Sequence, residues 1–333
     1  MQSLKNDIIN TLAYFDIFNY PLKREEIFFF IGQKCSENNV ASTLQLLTAE
    51  RSIFKLCDFY SLQNDPTVAE RRWQGNYRAI KQLKIAGRVS RLLYHFPYVR
   101  GVGISGSLSK NFADEKSDID FFIITAPNRL WIARSMMHLF KKFTYVLGKQ
   151  NWFCMNYYVD RIGLEIIEKN IYTATEVATL LPFEGMLIFN ELYAANDWVH
   201  EFIPNYSYKI PAEKTKSKNY LKSFVEKIFN SKLGDTLDDW LMRKTASRWQ
   251  KKTRSQRLNK RGIVMGMDAS KHCAKPDPRN FQQTFLDIYS RRLGQIKEPA
   301  EMHVGSQESR VNRQLPISNG QLTKEFIKSN TSM

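Results

Sequence analysis

A chain of 333 residues with 43% hydrophobic content can bury a sizeable core, which excludes a disordered polymer and predicts two or three globular units. Lys and Arg number 49 against 33 Asp and Glu, a formal charge of +16 that favours nucleotides, nucleic acid or acidic surfaces as partners without choosing among them. Cys35, Cys57, Cys154 and Cys273 form no CxxC pair, which argues against a zinc module or a disulfide framework. The first residues lack a positive leader with an apolar core, and no run of about 18 apolar residues occurs, so a soluble cytoplasmic protein with no membrane partner is expected.

In chain order, Ile8, Ile9, Leu12, Phe15 and Phe18 follow helical spacing until Tyr20-Pro21 breaks it, and Lys23 to Ile27 starts a second helix. Val40, Leu44 and Leu47 predict a third, and Ser52 to Leu62 reads as extended structure, possible as a hairpin. Three short helices and a wing resemble a winged helix-turn-helix over residues 1–65. A DNA-reading helix needs cations to neutralise phosphate, yet Ser36 to Glu50 holds no Lys or Arg, so a packing or partner-binding module is favoured over a DNA reader.

Thr67 to about His95 predicts a basic helix, ended by Pro97. Tyr98 to Ser105 reads as a strand whose small residues allow close backbone approach. A glycine-serine turn, a short polar helix and a second strand from Asp118 to Thr125 follow, then a helix from Arg129 to about Leu147 and a strand from Phe153 to Val159. This predicts a mixed α/β unit with a compact sheet over 66–170. From 171 to 297 the pattern reads as all-helical, with 16 Lys and Arg against five Asp and Glu between Lys209 and Arg261. That stretch, with Phe224, Trp240 and Trp249, offers charge and stacking surfaces to an RNA acceptor, although core aromatics with solvated lysines are the simpler expectation. The glycine-containing stretch Gly262 to Asp268 is expected to be a loop, and the polar, aperiodic tail 298–333 to be disordered.

The segment GVGISGSLSKNFADEKSDIDFFIIT, residues 101–125, holds the chemistry. A strand ending in Gly106-Ser107 and opening a helix presents free backbone N–H groups to a phosphate, Ser107 adds a hydroxyl donor, and Lys110 one turn on adds charge. Asp118 and Asp120 stand two apart on a predicted strand, so alternation puts both carboxylates on one face. Such a pair repels itself, and a shared divalent cation such as Mg²⁺ is the usual reason to tolerate it.

This stretch resembles the nucleotidyltransferases of the DNA polymerase beta superfamily: hydrophobic strand, Gly-Ser, short helix, then an aspartate-hydrophobic-aspartate strand. The match covers about 25 residues, with compatible elements to about residue 170. The resemblance implies an α+β nucleotidyltransferase core, Gly106 and Ser107 on the triphosphate, and Asp118 and Asp120 on Mg²⁺. It further implies transfer of a nucleoside monophosphate from a nucleoside triphosphate to an acceptor, with release of pyrophosphate. A small molecule, RNA or a protein side chain fits equally well as acceptor.

Active members carry a third carboxylate on a later strand, where this chain has Asn156, a side chain that ligates a metal weakly through its carbonyl and cannot act as a base. Asp160 and Glu165 lie close by in sequence as substitutes. Glu165 is the more plausible because Gly163 to Ile167 looks extended. The alternative implied by Asn156 is a catalytically weak nucleotide-sensing or DNA- or partner-binding regulatory protein. The five histidines share no metal-ligand spacing, and no zinc site is expected.

Overall fold

The computed structural model describes residues 2–115, 117–146, 154–208, 219–254, 266–277 and 280–297. Among them are eleven helices, a six-stranded mixed sheet and a two-stranded hairpin, a mixed α+β protein. No described helix is long and apolar enough to cross a membrane. The chain groups into two compact units. One holds Met1–Gln74, Asp114–Ser117 and Thr284–Met333; the other holds Gly75–Ala113 and Asp118–Gln283.

The first unit opens with α1 (Gln2–Asp16), α2 (Arg24–Phe30) and α3 (Glu37–Ala49), followed by the antiparallel hairpin of β1 (Phe54–Leu56) and β2 (Phe59–Ser61). This is the order that the sequence pattern predicts. Ser36 caps α3 by accepting the Asn39 N–H at 3.2 Å, so a polar residue starts the helix where its first amides lack partners. Ile8, Leu12, Ile27, Val40, Leu44, Leu47 and Phe59 are buried, each from the apolar face of its element. Arg72 lies 3.5 Å from the Tyr20 ring centre and donates to Glu26 Oε1 at 2.6 Å, which gives a buried guanidinium both a π face and a counter-charge.

α4 (Pro66–Tyr94) starts in the first unit and continues into the second. Then come β3 (Val99–Ile104), α5 (Gly106–Ser109), β4 (Asp120–Thr125), α6 (Leu130–Val146), β5 (Cys154–Asp160), α7 (Ile171–Ala178), β6 (Leu181–Glu184) and α8 (Met186–Ala195). After a 3₁₀ turn at Asp197–Glu201 follow α9 (Tyr220–Phe229), α10 (Lys232–Arg254), β7 (Gly266–Ala269), β8 (Cys273–Asp277) and α11 (Phe281–Lys297). The sheet order is β6-β3-β4-β5-β8-β7. Only β4 and β5 run parallel, as the helical crossover α6 between them requires; the other pairs are antiparallel.

The sequence expectation of an all-helical stretch over 171–297 is corrected here: β6, β7 and β8, half of the six-stranded sheet, come from it. These strands are four or five residues long, too short to show a two-residue period, and Leu181-Pro182 and Lys275-Pro276 look like helix breaks rather than edge pairing. The expected loop over 262–268 becomes β7 from Gly266 onward, and its earlier residues lie outside the described set, as does the tail expected to be disordered.

Ile119, Phe121 and Ile123 enter a core with Ala86, Val89 and Leu93 of α4 and Trp131 and Met137 of α6. The opposite face of the sheet receives α8. A methyl group at Gly101 would stand 2.6 Å from Ile188 Cγ2, and one at Gly103 2.9 Å from Phe189 Cζ. These glycines therefore let α8 lie close to β3, as the small residues of that strand predict.

Candidate active site

The Gly-Ser corner and the paired aspartates meet at one end of β3 and β4. The Ser105 N–H donates to the Asp120 carbonyl at 3.0 Å, which joins the end of β3 to the start of β4. Gly106 follows with φ +70°, the left-handed region that side-chain-bearing residues avoid. A Cβ there would lie 2.6 Å from Asp120 Oδ2. Backbone conformation favours glycine at this position, and any side chain there would have to displace the Asp120 carboxylate.

Asp120 is the first residue of β4, and Asp118 precedes the strand rather than lying in it. Alternation persists nonetheless, because Ile119 is buried in the core while both aspartates remain partly exposed. Both carboxylates act on the same thiol: burial pushes Cys154 up to about 12, and the negative charges of Asp120 and then Asp118 add to the rise. The register pairs Asp120 with Cys154 across the parallel strands.

A β-bulge shapes the far wall. Phe121 pairs with Met155 and Phe122 with Tyr157, which leaves Asn156 as the extra residue on β5. Cys154 faces Asp120 on one side of the bulge, and Tyr157 stacks on Phe122, ring centres 5.2 Å apart, on the other. Asn156 is exposed between them. Its Nδ2 donates to Asp120 Oδ1, and its Oδ1 accepts from the Cys154 thiol at 3.0 Å. Asn156, expected as a metal ligand, meets Asp120 through its N–H end. The metal-ligating carbonyl faces the aspartate only after the amide flips.

The phosphate half differs from the sequence expectation. α5 is only four residues long, so its dipole is small. The Gly106 N–H donates to Glu176 Oε2 at 3.1 Å, and Lys110 Nζ donates to Glu176 Oε1 at 2.7 Å and to the Gly106 carbonyl at 3.1 Å. Two of the three residues expected on phosphate, Gly106 and Lys110, therefore hold a carboxylate from α7. Ser107 stays partly exposed at the corner, and its carbonyl accepts the N–H groups of Lys110 and Phe112 at 3.0 and 3.1 Å.

The candidates for a third carboxylate stand elsewhere. Glu165 is exposed on an irregular stretch rather than the expected extended one, and its carboxylate pairs with Lys169 at 2.8 Å. Among the described residues no group of three or more His, Cys, Asp or Glu is placed to hold a metal ion, so Glu165 does not join Asp118 and Asp120. Asp160 is fully buried and pairs in register with Thr125, at the opposite end of β4 and β5 from Asp120. It accepts from the N–H groups of Asn128, Ile162 and Gly163 at 2.8, 2.9 and 3.1 Å and contacts His272 Nδ1 at 2.8 Å.

Two residues of the corner escaped the sequence reading. Glu176 is the one charged residue of α7, where Thr173, Ala174, Thr175 and Val177 are buried, and a lone carboxylate in an otherwise uncharged helix is the signal that could have found it. Cys154 carried no such mark, because its place depends on strand register. Set against protein-family models, curated proteins and solved structures, the chain matches none of them.

Proposed function

We propose that the chain binds a nucleoside triphosphate with Mg²⁺ and transfers the nucleoside monophosphate to an acceptor, releasing pyrophosphate, as its resemblance to DNA polymerase beta-type nucleotidyltransferases implies. The observation that carries this reading is the packing of the Asp120 carboxylate against Gly106, 2.6 Å from where a Cβ would stand, with Asp118 two residues before it and also partly exposed. A helix-opening glycine in the left-handed region, with an aspartate carboxylate against its Cα, supports this reading.

Asp118 and Asp120 suit Mg²⁺, which is commonly held by one or two carboxylates while waters and substrate phosphates complete its shell. Bound there, Mg²⁺ supplies charge neutralisation on the triphosphate and on the oxygens that attack and leave. The chain's own residues position the reactants. Ser107 offers its hydroxyl at the corner, and Gly106 lets the backbone come close to a phosphate. Lys110 and Glu176 neutralise each other at 2.7 Å and brace α5, so Lys110 supports the corner's shape rather than supplying a free cation. Asn156 accepts no proton, so its part is to hold the Asp120 carboxylate in place through its N–H.

That same hydrogen bond favours a second reading, a nucleotide-binding protein with weak or absent transfer, because an amide stands where a third carboxylate would help deprotonate an acceptor. Calorimetry with triphosphates and Mg²⁺ tests what both readings share: wild-type binding, at least a hundredfold weaker in Asp120→Ala. Equal binding by the two proteins would sink both. Pyrophosphate release from labelled triphosphates, assayed with small-molecule, RNA and protein acceptors, separates transfer from sensing.

A further inference from the structure

Helix α9 is docked the wrong way out for a helix of a water-soluble surface. At about 100° per residue, Lys222, Val225, Glu226 and Phe229 share one side, while Tyr220, Leu221, Phe224 and Ile228 fall within an arc of about 100° on the other. The first side is the one that faces the protein. Lys222 Nζ donates to the Tyr94 and Val99 carbonyls at 2.8 and 2.7 Å. Glu226 accepts from both terminal nitrogens of Arg100 at 2.8 and 2.9 Å and from the Tyr98 N–H at 2.6 Å.

The apolar side faces solvent. Tyr220 is 80% exposed, Leu221 73%, Phe224 61% and Ile228 51%, and Leu233 at the start of α10 is 78% exposed. No residue of α9 is buried. Scattered apolar residues on a surface are ordinary, but an aligned row of this size marks a contact site. With most of their surface free, these side chains form a ridge rather than a groove, a shape that inserts rather than receives.

Charge selects the occupant. Residues 219–254 contain nine Lys and Arg against four Asp and Glu, and residues 243–254 contain six with no acid. Lys227 beside the apolar arc and Lys232, Arg243, Lys244 and Arg248 along α10 are exposed. A second copy of a chain with formal charge +16 would meet like charge across the ridge. An apolar row with Tyr and Phe, in a segment rich in exposed lysine and arginine, fits the headgroup boundary of an anionic lipid surface. We propose that α9 lies in such a surface and anchors the chain there peripherally. The expectation of no membrane partner rested on the lack of a spanning run of about 18 apolar residues, a length that an interfacial helix does not need.

Flotation with vesicles tests this. The full chain is expected to float with vesicles of phosphatidylglycerol and phosphatidylcholine at low salt, to be released at high salt, and to ignore pure phosphatidylcholine. Leu221→Asp with Phe224→Asp should cut the bound fraction about tenfold or more, since it removes two inserted side chains and adds two like charges. Should that pair lower the melting temperature, Leu221→Ser with Phe224→Ser takes its place. No flotation of the wild type, or flotation unchanged by these substitutions, overturns the proposal. So does equal binding to neutral vesicles, or a dimer seen by light scattering that the same substitutions dissolve while vesicles stay empty.

Discussion

Asp120 and Asp160 stand at opposite ends of the same two parallel strands, and their surroundings share almost nothing. Asp160 is fully buried and meets three backbone N–H groups and a histidine ring nitrogen. Asp120 is partly exposed, adjoins Gly106 and Asn156, and acts together with Asp118 on the thiol of Cys154. A carboxylate surrounded by fixed donors has its charge compensated inside the protein and fastens the turns around it. Asp120 instead lies two residues from a second carboxylate, is partly open to solvent, and accepts from the Asn156 side chain. The contrast separates an acidic residue enclosed by the fold from one that the proposed function gives to a cation.

Removing the fully compensated carboxylate is the harshest test. Asp160→Ala strips the side-chain acceptor from the Asn128 and Ile162 N–H groups, leaves Gly163 only the residue 160 carbonyl, and is expected to cost about 3 kcal/mol or more in denaturant unfolding. A loss below about 1 kcal/mol would mean that those amides find other acceptors, and the contrast with Asp120 would collapse.

Asp238 on α10 sharpens the comparison, because it is buried with fewer donors. Its Oδ1 accepts the Ile132 N–H at 2.8 Å, while its Oδ2 meets no hydrogen-bond partner among the described residues. Burial pushes it up from 3.8 to about 6, against the lowering by the amides of Ile132 and Trp131 and by Arg129. The folded protein thus holds a proton there that the unfolded chain releases. The resulting stabilisation is complete below about pH 3.8 and is lost as pH rises through about 6. Asp238→Asn keeps the acceptor and removes the titration, so the stability difference between variant and wild type should move in the variant's favour by on the order of 2 kcal/mol from acid to mildly alkaline pH. Parallel stability curves would show that this carboxylate is as well compensated as Asp160.

The divide between what the sequence tells and what it withholds follows the same lines. Gly106, Ser107, Asp118 and Asp120 lie within 15 residues, so their meeting depends on one turn and one strand alternation, both local and readable. The three helices and hairpin of the first unit were readable for the same reason, since each apolar period completes itself within one element. Glu176 reaches the corner from 70 residues away, and no periodicity reports that approach. The bulge at Asn156 depends on a register shift between β4 and β5, and the short strands β6, β7 and β8 take their identity from neighbours rather than from their own pattern. Glu165 was misplaced because a stretch rich in Ile and Leu reads as extended, whereas the structure turns it into irregular chain at the surface.

Gly106→Ala perturbs the corner directly. The left-handed φ costs about 1 kcal/mol for alanine, and the new methyl group must displace the Asp120 carboxylate. An overall loss of about 1–2 kcal/mol is expected in thermal or denaturant unfolding, together with at least tenfold weaker binding of triphosphate and Mg²⁺. Unchanged nucleotide binding in this variant would separate the corner from the site.

The smallest expected effect on stability is the most telling. Asp120→Asn preserves the acceptor for Asn156 Nδ2 and removes one of two neighbouring negative charges, so without metal the variant should lie within about 1 kcal/mol of the wild type and on the stable side. Adding Mg²⁺ and triphosphate should then raise the melting temperature of the wild type and leave Asp120→Asn where it was. The paired outcomes matter more than either alone. A residue that holds the fold, like Asp160, loses stability when neutralised, whereas a residue kept for a ligand gains a little and loses the ligand's protection. If Asp120→Asn unfolds as readily as Asp160→Ala, the carboxylate at the Gly106 corner belongs to the scaffold, and the nucleotide site must be sought elsewhere in the chain.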